Sequence, residues 1–132
     1  MKVRDFNCRE HPWPPTGHIV SVDTRPRSQY HTRCRELLHK LYPTQPILEE
    51  VTLPGVNLYL DFYLHFRRLA VEVNGEQHYK FNPHFHQNKL AFFRARQNDS
   101  RKAEWCQMNS IVLVTLDWNK DDAQWTTDII NA

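Results

Sequence analysis

Two apolar, β-prone runs, "LYLDFYL" at residues 58–64 and "LAVEV" at residues 69–73, stand close together, and each carries a carboxylate, Asp61 and Glu72. Runs of this kind joined by brief connections read as an antiparallel meander. The preceding run, "ILEEVTL", is joined to them by the turn signal of Pro54 and Gly55, and Arg67 and Arg68 fall at the tip between the second and third strands. Side chains alternate along a strand, which sets Asp61 on the face opposite Leu60 and Phe62, and Glu72 opposite Val71 and Val73. If the two strands pair as a hairpin, both carboxylates come to one face of the sheet. Close carboxylates repel, and burying them is costly unless a cation or hydrogen bonds compensate. A divalent metal is the usual compensation, and hard oxygen ligands suit Mg2+ (or Mn2+). The other arrangement open to them is the solvated side of a one-sided sheet, with Arg67 or Arg68 as ion-pair partner.

Around this meander the chain alternates in character. Residues 1–27 lack sustained periodicity and hold Pro12, Pro14 and Pro15, which suits an N-terminal arm or loop, either poorly ordered or binding something. Tyr30, Cys34, Leu37, Leu38 and Leu41 then recur at the spacing of an amphipathic helix, with Ser28 as N-cap and Pro43 just beyond its end. Residues 84–109 read as helical, two helices meeting near Asn98, with Leu90, Phe93, Ala103 and Met108 as core contacts. "IVLVTL" is a continuous apolar run, expected as a strand buried on both faces, and residues 121–130 as a short closing helix. The expected order is α-β-β-β-α-β, with residues 28–132 as one catalytic domain.

With 132 residues, 40% hydrophobic and 24% charged, the chain is sized for one domain and too apolar for disorder. No apolar run is long enough to span a membrane, and "MKVRDFNCRE" has no apolar stretch behind its charges as a signal peptide would. Three cysteines, an odd count, speak against a disulfide framework and for a reducing interior. A cytoplasmic protein without a membrane partner is expected. The net charge of +2 is small, but its distribution is uneven: Arg25, Arg27, Arg33 and Arg35 cluster before the paired strands, and Arg94, Arg96, Arg101 and Lys102 after them. Such local patches can hold a polyanion; a solvated helix face is the plainer reading of the second.

Taken in order, "LDFYL…LAVEVNGEQHY" and "QNDSRKAEWCQMNSIVLVTL" resemble the core of the PD-(D/E)XK nuclease superfamily. The similarity is to the branch that holds the very-short-patch repair endonucleases and the phage homing endonucleases with an EDxHD signature. It covers about residues 28–116 and rests on the whole set in order. It implies an α/β (α+β) fold, a mixed sheet flanked by helices. Residue by residue, it implies Glu36 of "CRELLHKLY" as the upstream acid, binding metal directly or through water, and Asp61 as the central metal ligand. Glu72 becomes a second ligand or a water-orienting group, and the carbonyl of Val73 a further oxygen. His78 becomes the general base, and Asp99 the carboxylate that orients it. The superfamily's lysine falls at Asn74, which supplies neither a base nor a positive charge; in the His-dependent branch His78, titrating near neutrality, takes over the role. The plainer readings are a hydrogen-bonded surface residue for His78, and a helix cap or an ion-pair partner of Lys102 for Asp99.

The resemblance therefore implies a divalent-metal-dependent endonuclease acting on double-stranded DNA, with phage homing as its setting and Arg94, Arg96, Arg101 and Lys102 anchoring phosphates. A mismatch-nicking repair nuclease or a junction resolvase is the next reading, and a catalytically inactive DNA-binding or virion-associated module is the non-enzymatic one. A chain with one site breaks both strands only as a homodimer or by two successive nicks. Cys8 with His11 and His31 with Cys34 form C-x2-H and H-x2-C pairs, a set that could hold structural Zn2+, with His84 and His86 as further donors. Cys34 fits the apolar helix stripe equally well as a buried thiol. Trp13, Phe81 and Phe85, in expected loops, either stack on bases or pack over the edge of a small core.

Overall fold

The N-terminal segment is more ordered than its prolines suggest. Strands β1 (Lys2–Arg4) and β2 (Glu10–Pro12) pair antiparallel, and the hairpin ends on Trp13, only 2% exposed. The Trp13 indole donates to the Thr52 carbonyl (3.0 Å) and packs on Tyr63 and Trp105 at centroid distances of 4.4 and 5.1 Å. The expected arm is thus a docked hairpin over residues 1–14, because one large aromatic finds a place in the core. This computed structural model describes residues 1–14, 28–75 and 89–132.

Helix α1 (Gln29–Leu41) begins at Ser28, whose hydroxyl accepts from the His31 N–H (3.1 Å), and buries His31, Cys34, Leu37 and Leu38. Strands β3 (Leu48–Thr52), β4 (Tyr59–Leu64) and β5 (Leu69–Asn74) form the antiparallel meander. A short 3-10 turn at His65–Arg67 joins the last two and closes on Arg68, whose φ of 49° is left-handed. Helix α2 (Lys89–Met108) crosses to β6 (Val112–Asp117), which lies parallel to β5, and helix α3 (Asp122–Ile130) starts at its N-cap Asp121. The sheet is mixed, in the order β3-β4-β5-β6.

Apolar side chains gather in two clusters. One joins Trp105 and Cys106 of α2 to Trp13, Val51, Leu60, Tyr63 and Ala70; the other joins Cys34 and Leu38 of α1 and Trp125 and Ile129 of α3 to Phe62, Leu64, Leu69 and Val71. Helices thus cover both faces of a mixed α/β architecture. Among the described residues, no helix is long and apolar enough to cross a membrane.

Three expectations are corrected. Residues 89–108 form one helix with no break at Asn98, since they contain neither proline nor glycine to stop it. Its core contacts are Trp105 and Cys106, while Leu90, Phe93, Ala103 and Met108 are exposed, because the helix is polar over most of its length and docks by its last turns. The "IVLVTL" run is not buried on both faces as expected: Leu113 and Val114 are only half-buried and Thr115 is exposed. Among the described residues β6 pairs only with β5, and Val112 is exposed while Leu116 is fully buried. An apolar run marks a strand, but whether both of its faces are covered depends on which elements pack against it.

Candidate active site

The β4–β5 ladder runs through Leu64↔Leu69, Tyr63↔Ala70 and Phe62↔Val71 and stops there. Beyond it the acids bridge the strands. The Asp61 N–H donates to Oε2 of Glu72 (2.9 Å), and the Val73 N–H donates to Oδ2 of Asp61 (3.0 Å). Each carboxylate takes the place of a ladder carbonyl, so the strands fork while β4 still pairs with β3 and β5 with β6. The register on either side sets Glu50 across from Asp61, and its φ of 49° breaks the extended backbone there. Leu60 and Phe62 consequently pack into different clusters. The expectation that Leu60 and Phe62 share a face opposite Asp61 is therefore corrected, and so is simple hairpin pairing at the acids.

Glu72 is 7% exposed, and Lys102 of α2 reaches it, Nζ to Oε1, at 2.8 Å. Burial, with the neighbouring Asp61 carboxylate, pushes the Glu72 acid up to about 8, although Lys102 pulls the other way. Burial alone would lower the Lys102 ammonium, but the carboxylates of Glu72, Asp61 and Asp99 outweigh it and hold Lys102 above the usual lysine range. Asp99 lies one turn before Lys102 on α2. Both line a small cavity of about 30 Å3 with Glu72, Asn74, Leu113 and Thr115. Asn74, the position without a lysine, thus faces a cavity whose positive charge comes from α2 instead.

The structure divides the other expected site residues. Glu36 is on the exposed side of α1. The acid buried against α1 is Glu49 of β3, which the sequence reading passed over. The Arg35 guanidinium donates to Glu49 from Nε (3.0 Å) and Nη2 (2.8 Å), and His31 Nε2 bonds the same carboxylate. Burial pushes the Glu49 acid up, but these bonds outweigh it and leave it below the usual range. The signal was available, since "ILEEVTL" holds acids inside a β-prone run just as "LYLDFYL" does. His78, His84, His86, Phe81, Phe85, Arg25 and Arg27 lie outside the described residues.

The basic residues also separate. Lys102 turns inward to Glu72 instead of standing out from the exposed face of α2. Arg101 stacks over Phe6 (5.2 Å) and Arg96 over Phe92 (5.7 Å), while Arg94 is exposed. Arg33 sits 3.7 Å from the Trp125 ring centroid and pairs with Asp122. Arg67 bonds Tyr42 and the carbonyls of Ile129, Ile130 and Ala132, and Arg68 bonds the Asn109 carbonyl. Neither arginine at the tip partners Asp61 or Glu72, because the tip lies at the other end of the hairpin.

The proposed zinc donors are not gathered. Cys8 is exposed, His11 bonds Asp5 (2.8 Å), His31 bonds Glu49, and Cys34 is fully buried in α1. Burial pushes the Cys34 thiol well up, with Asp61 and Glu49 adding to it, and its side chain packs in the apolar cluster of α1. Among the described residues no group of three or more His, Cys, Asp or Glu is arranged to hold a metal.

Asp61 and Glu72 nevertheless suit a hard divalent cation held by few protein ligands. Mg2+ commonly takes one or two carboxylates and completes its shell with water and substrate phosphate. Among the described residues, Asp61, Glu72 and Asp99 bring carboxylates near the ammonium of Lys102, and burial together with the Asp61 charge raises the Glu72 acid, a cost that a bound cation would relieve.

No protein-family model matches the chain, and no solved structure matches it. Over 66 residues it is 42% identical to Uncharacterized protein 307L of Invertebrate iridescent virus 6, covering 50% of this chain and 34% of that protein. Over 92 residues it is 33% identical to Uncharacterized protein 033L of Invertebrate iridescent virus 3, covering 66% of this chain and 47% of that protein. The chain thus spans between about a third and about half the length of these curated relatives, and its similarity is to proteins of invertebrate viruses.

Proposed function

We propose that this chain is a divalent-metal-dependent endodeoxyribonuclease of the PD-(D/E)XK kind, encoded by a virus and working on double-stranded DNA inside the host cell. The observation that carries the reading is the fork at Asp61 and Glu72, with Lys102 closing on Glu72. A buried acid, Glu72, and a half-buried one, Asp61, bridging two strands are costly, and an ordinary ladder would have been cheaper to build. A site with this excess of carboxylate repels a phosphodiester unless a cation joins it. Asp61 and Glu72 would hold Mg2+ or Mn2+, which supplies Lewis acidity toward the phosphate when bound.

This chain's own groups then have separate tasks. Lys102 holds a positive charge at Glu72 and steadies that carboxylate. Asp99 keeps the ammonium in place through its charge. His78, by the resemblance, accepts a proton from the attacking water. Arg94 and Arg96 lie on the same helix as Lys102 and would meet neighbouring phosphates without reading sequence. Homing, mismatch nicking and junction resolution are all settings for such a site, and cutting both strands calls for a second copy or a second nick.

The second reading is a DNA-binding or virion-associated module that does not cut. What favours it is that no third donor joins Asp61 and Glu72 in a metal-holding group among the described residues. Supercoiled plasmid incubated with Mg2+ or Mn2+ separates the two. Nicked or linear product that EDTA prevents supports the nuclease; plasmid that is bound yet stays supercoiled supports the module.

A further inference from the structure

Beside the acids lies an open pocket of about 230 Å3, lined in part by Asn57, Tyr59, Asn98, Asp99 and Lys102. Asp99 and Lys102 also line the cavity at Glu72, so the two spaces adjoin across this pair. The pocket is smaller than the roughly 300–1,000 Å3 of a site for a drug-sized ligand, and its scale is that of a single ring system. Tyr59 is 48% exposed, and its ring lies 5.3 Å from the Lys102 ammonium. The amide side chains of Asn57 and Asn98 have no hydrogen-bond partner among the described residues. An exposed aromatic ring, two uncommitted amides and a cation around a small space are the parts that recognise a nucleobase.

We propose that this pocket receives one unstacked nucleobase of the DNA beside the bond to be cut, stacked on Tyr59 and read by Asn57 and Asn98. The inference rests on the nuclease reading for its setting. Stacking on an aromatic ring accepts any base, since each has a π face. Selectivity comes from the amides, whose paired donor and acceptor match the N6 and N7 of adenine. A pocket of one-base size cannot take a base that is still inside a duplex, so the base enters only after leaving the stack. Bulged, mismatched or single-stranded positions therefore favour binding over perfectly paired DNA.

The test measures binding with EDTA present, so that cleavage plays no part. Affinities for dAMP and for 2-deoxyribose 5-phosphate are compared by NMR titration in the wild type and in the Tyr59→Ala, Asn98→Ala and Asp61→Asn variants. The wild type should hold dAMP about ten-fold or more tighter than the sugar phosphate, the scale of one base–aromatic stack. Tyr59→Ala should erase that difference, Asn98→Ala should reduce it, and Asp61→Asn should leave it intact. Equal affinity for the two probes, or a dAMP preference that survives in Tyr59→Ala, overturns the proposal. A protein with the preference that leaves plasmid uncut keeps the pocket and loses the nuclease reading. One that nicks plasmid yet treats both probes alike does the reverse.

Discussion

The ammonium of Lys102 lies 2.8 Å from Oε1 of Glu72, joining helix α2 to the strand that carries the second acid. Both side chains are largely buried, so neither is fully compensated by water. Removing one partner of such a pair strands the other. Lys102→Met should destabilise the protein by about 1–3 kcal/mol, moderated by the ability of Glu72 to keep a proton. In a Glu72→Gln background the same change should cost less, and the difference is the coupling between the two residues. Denaturant melts of the four proteins in the cycle measure it; additive costs would mean that the contact contributes nothing.

Glu72 also sets a pH dependence. Its acid is raised from the ordinary glutamate value to about 8 in the folded protein. Between about 4.5 and 8 the native state therefore binds a proton that the unfolded state has released, and stability falls as pH rises through this window. The slope approaches about 1.4 kcal/mol per pH unit for one whole proton. Glu72→Gln mimics the protonated acid and should gain on the wild type steadily from pH 5 to 8, with metal chelated throughout. Parallel stability curves for the two proteins would refute the shift.

Asp61→Asn keeps an oxygen that can accept from the Val73 N–H. Melting should change little, while Mg2+-dependent plasmid nicking should fall by about 10²-fold or more, as expected when an inner carboxylate of a metal site is lost. Near wild-type nicking by this variant would take Asp61 out of the mechanism.

Glu36 and Glu49 offer a contrast of two acids near α1. Glu49 is buried beneath Arg35 and His31, and Glu49→Ala removes the carboxylate that both of them bond, at a cost of about 3–5 kcal/mol. Exposed Glu36→Ala should stay within about 0.5 kcal/mol of the wild type and nick plasmid at an unchanged rate. A large loss of nicking in Glu36→Ala with an unchanged melt would restore it as the upstream acid of the EDxHD pattern.

On the surface of α2, replacing Arg94 and Arg96 together should weaken binding to all DNA sequences alike. It should flatten the salt dependence by roughly one to two slope units. An unchanged slope would show that this face is only solvated.

Much of the architecture is local and was legible in the chain. The spacing of Tyr30, Cys34, Leu37, Leu38 and Leu41 dictates α1; Ser28 caps it; the β-prone runs and their brief connections dictate the meander; and Asp61 and Glu72 stand out as acids inside strands. Periodicity and turn chemistry act between residues a few positions apart, so they are written directly into sequence. The tertiary structure decided what depends on distant partners. Trp13 found the core and turned an expected arm into a docked hairpin. The side chains of Asp61 and Glu72 took over the bonds between β4 and β5, and Lys102, which reads as one more charge on a basic helix, was drawn in to Glu72. The same ammonium costs little on a solvated face and little beside a buried carboxylate. Only the packing of α2 against the sheet selects between them.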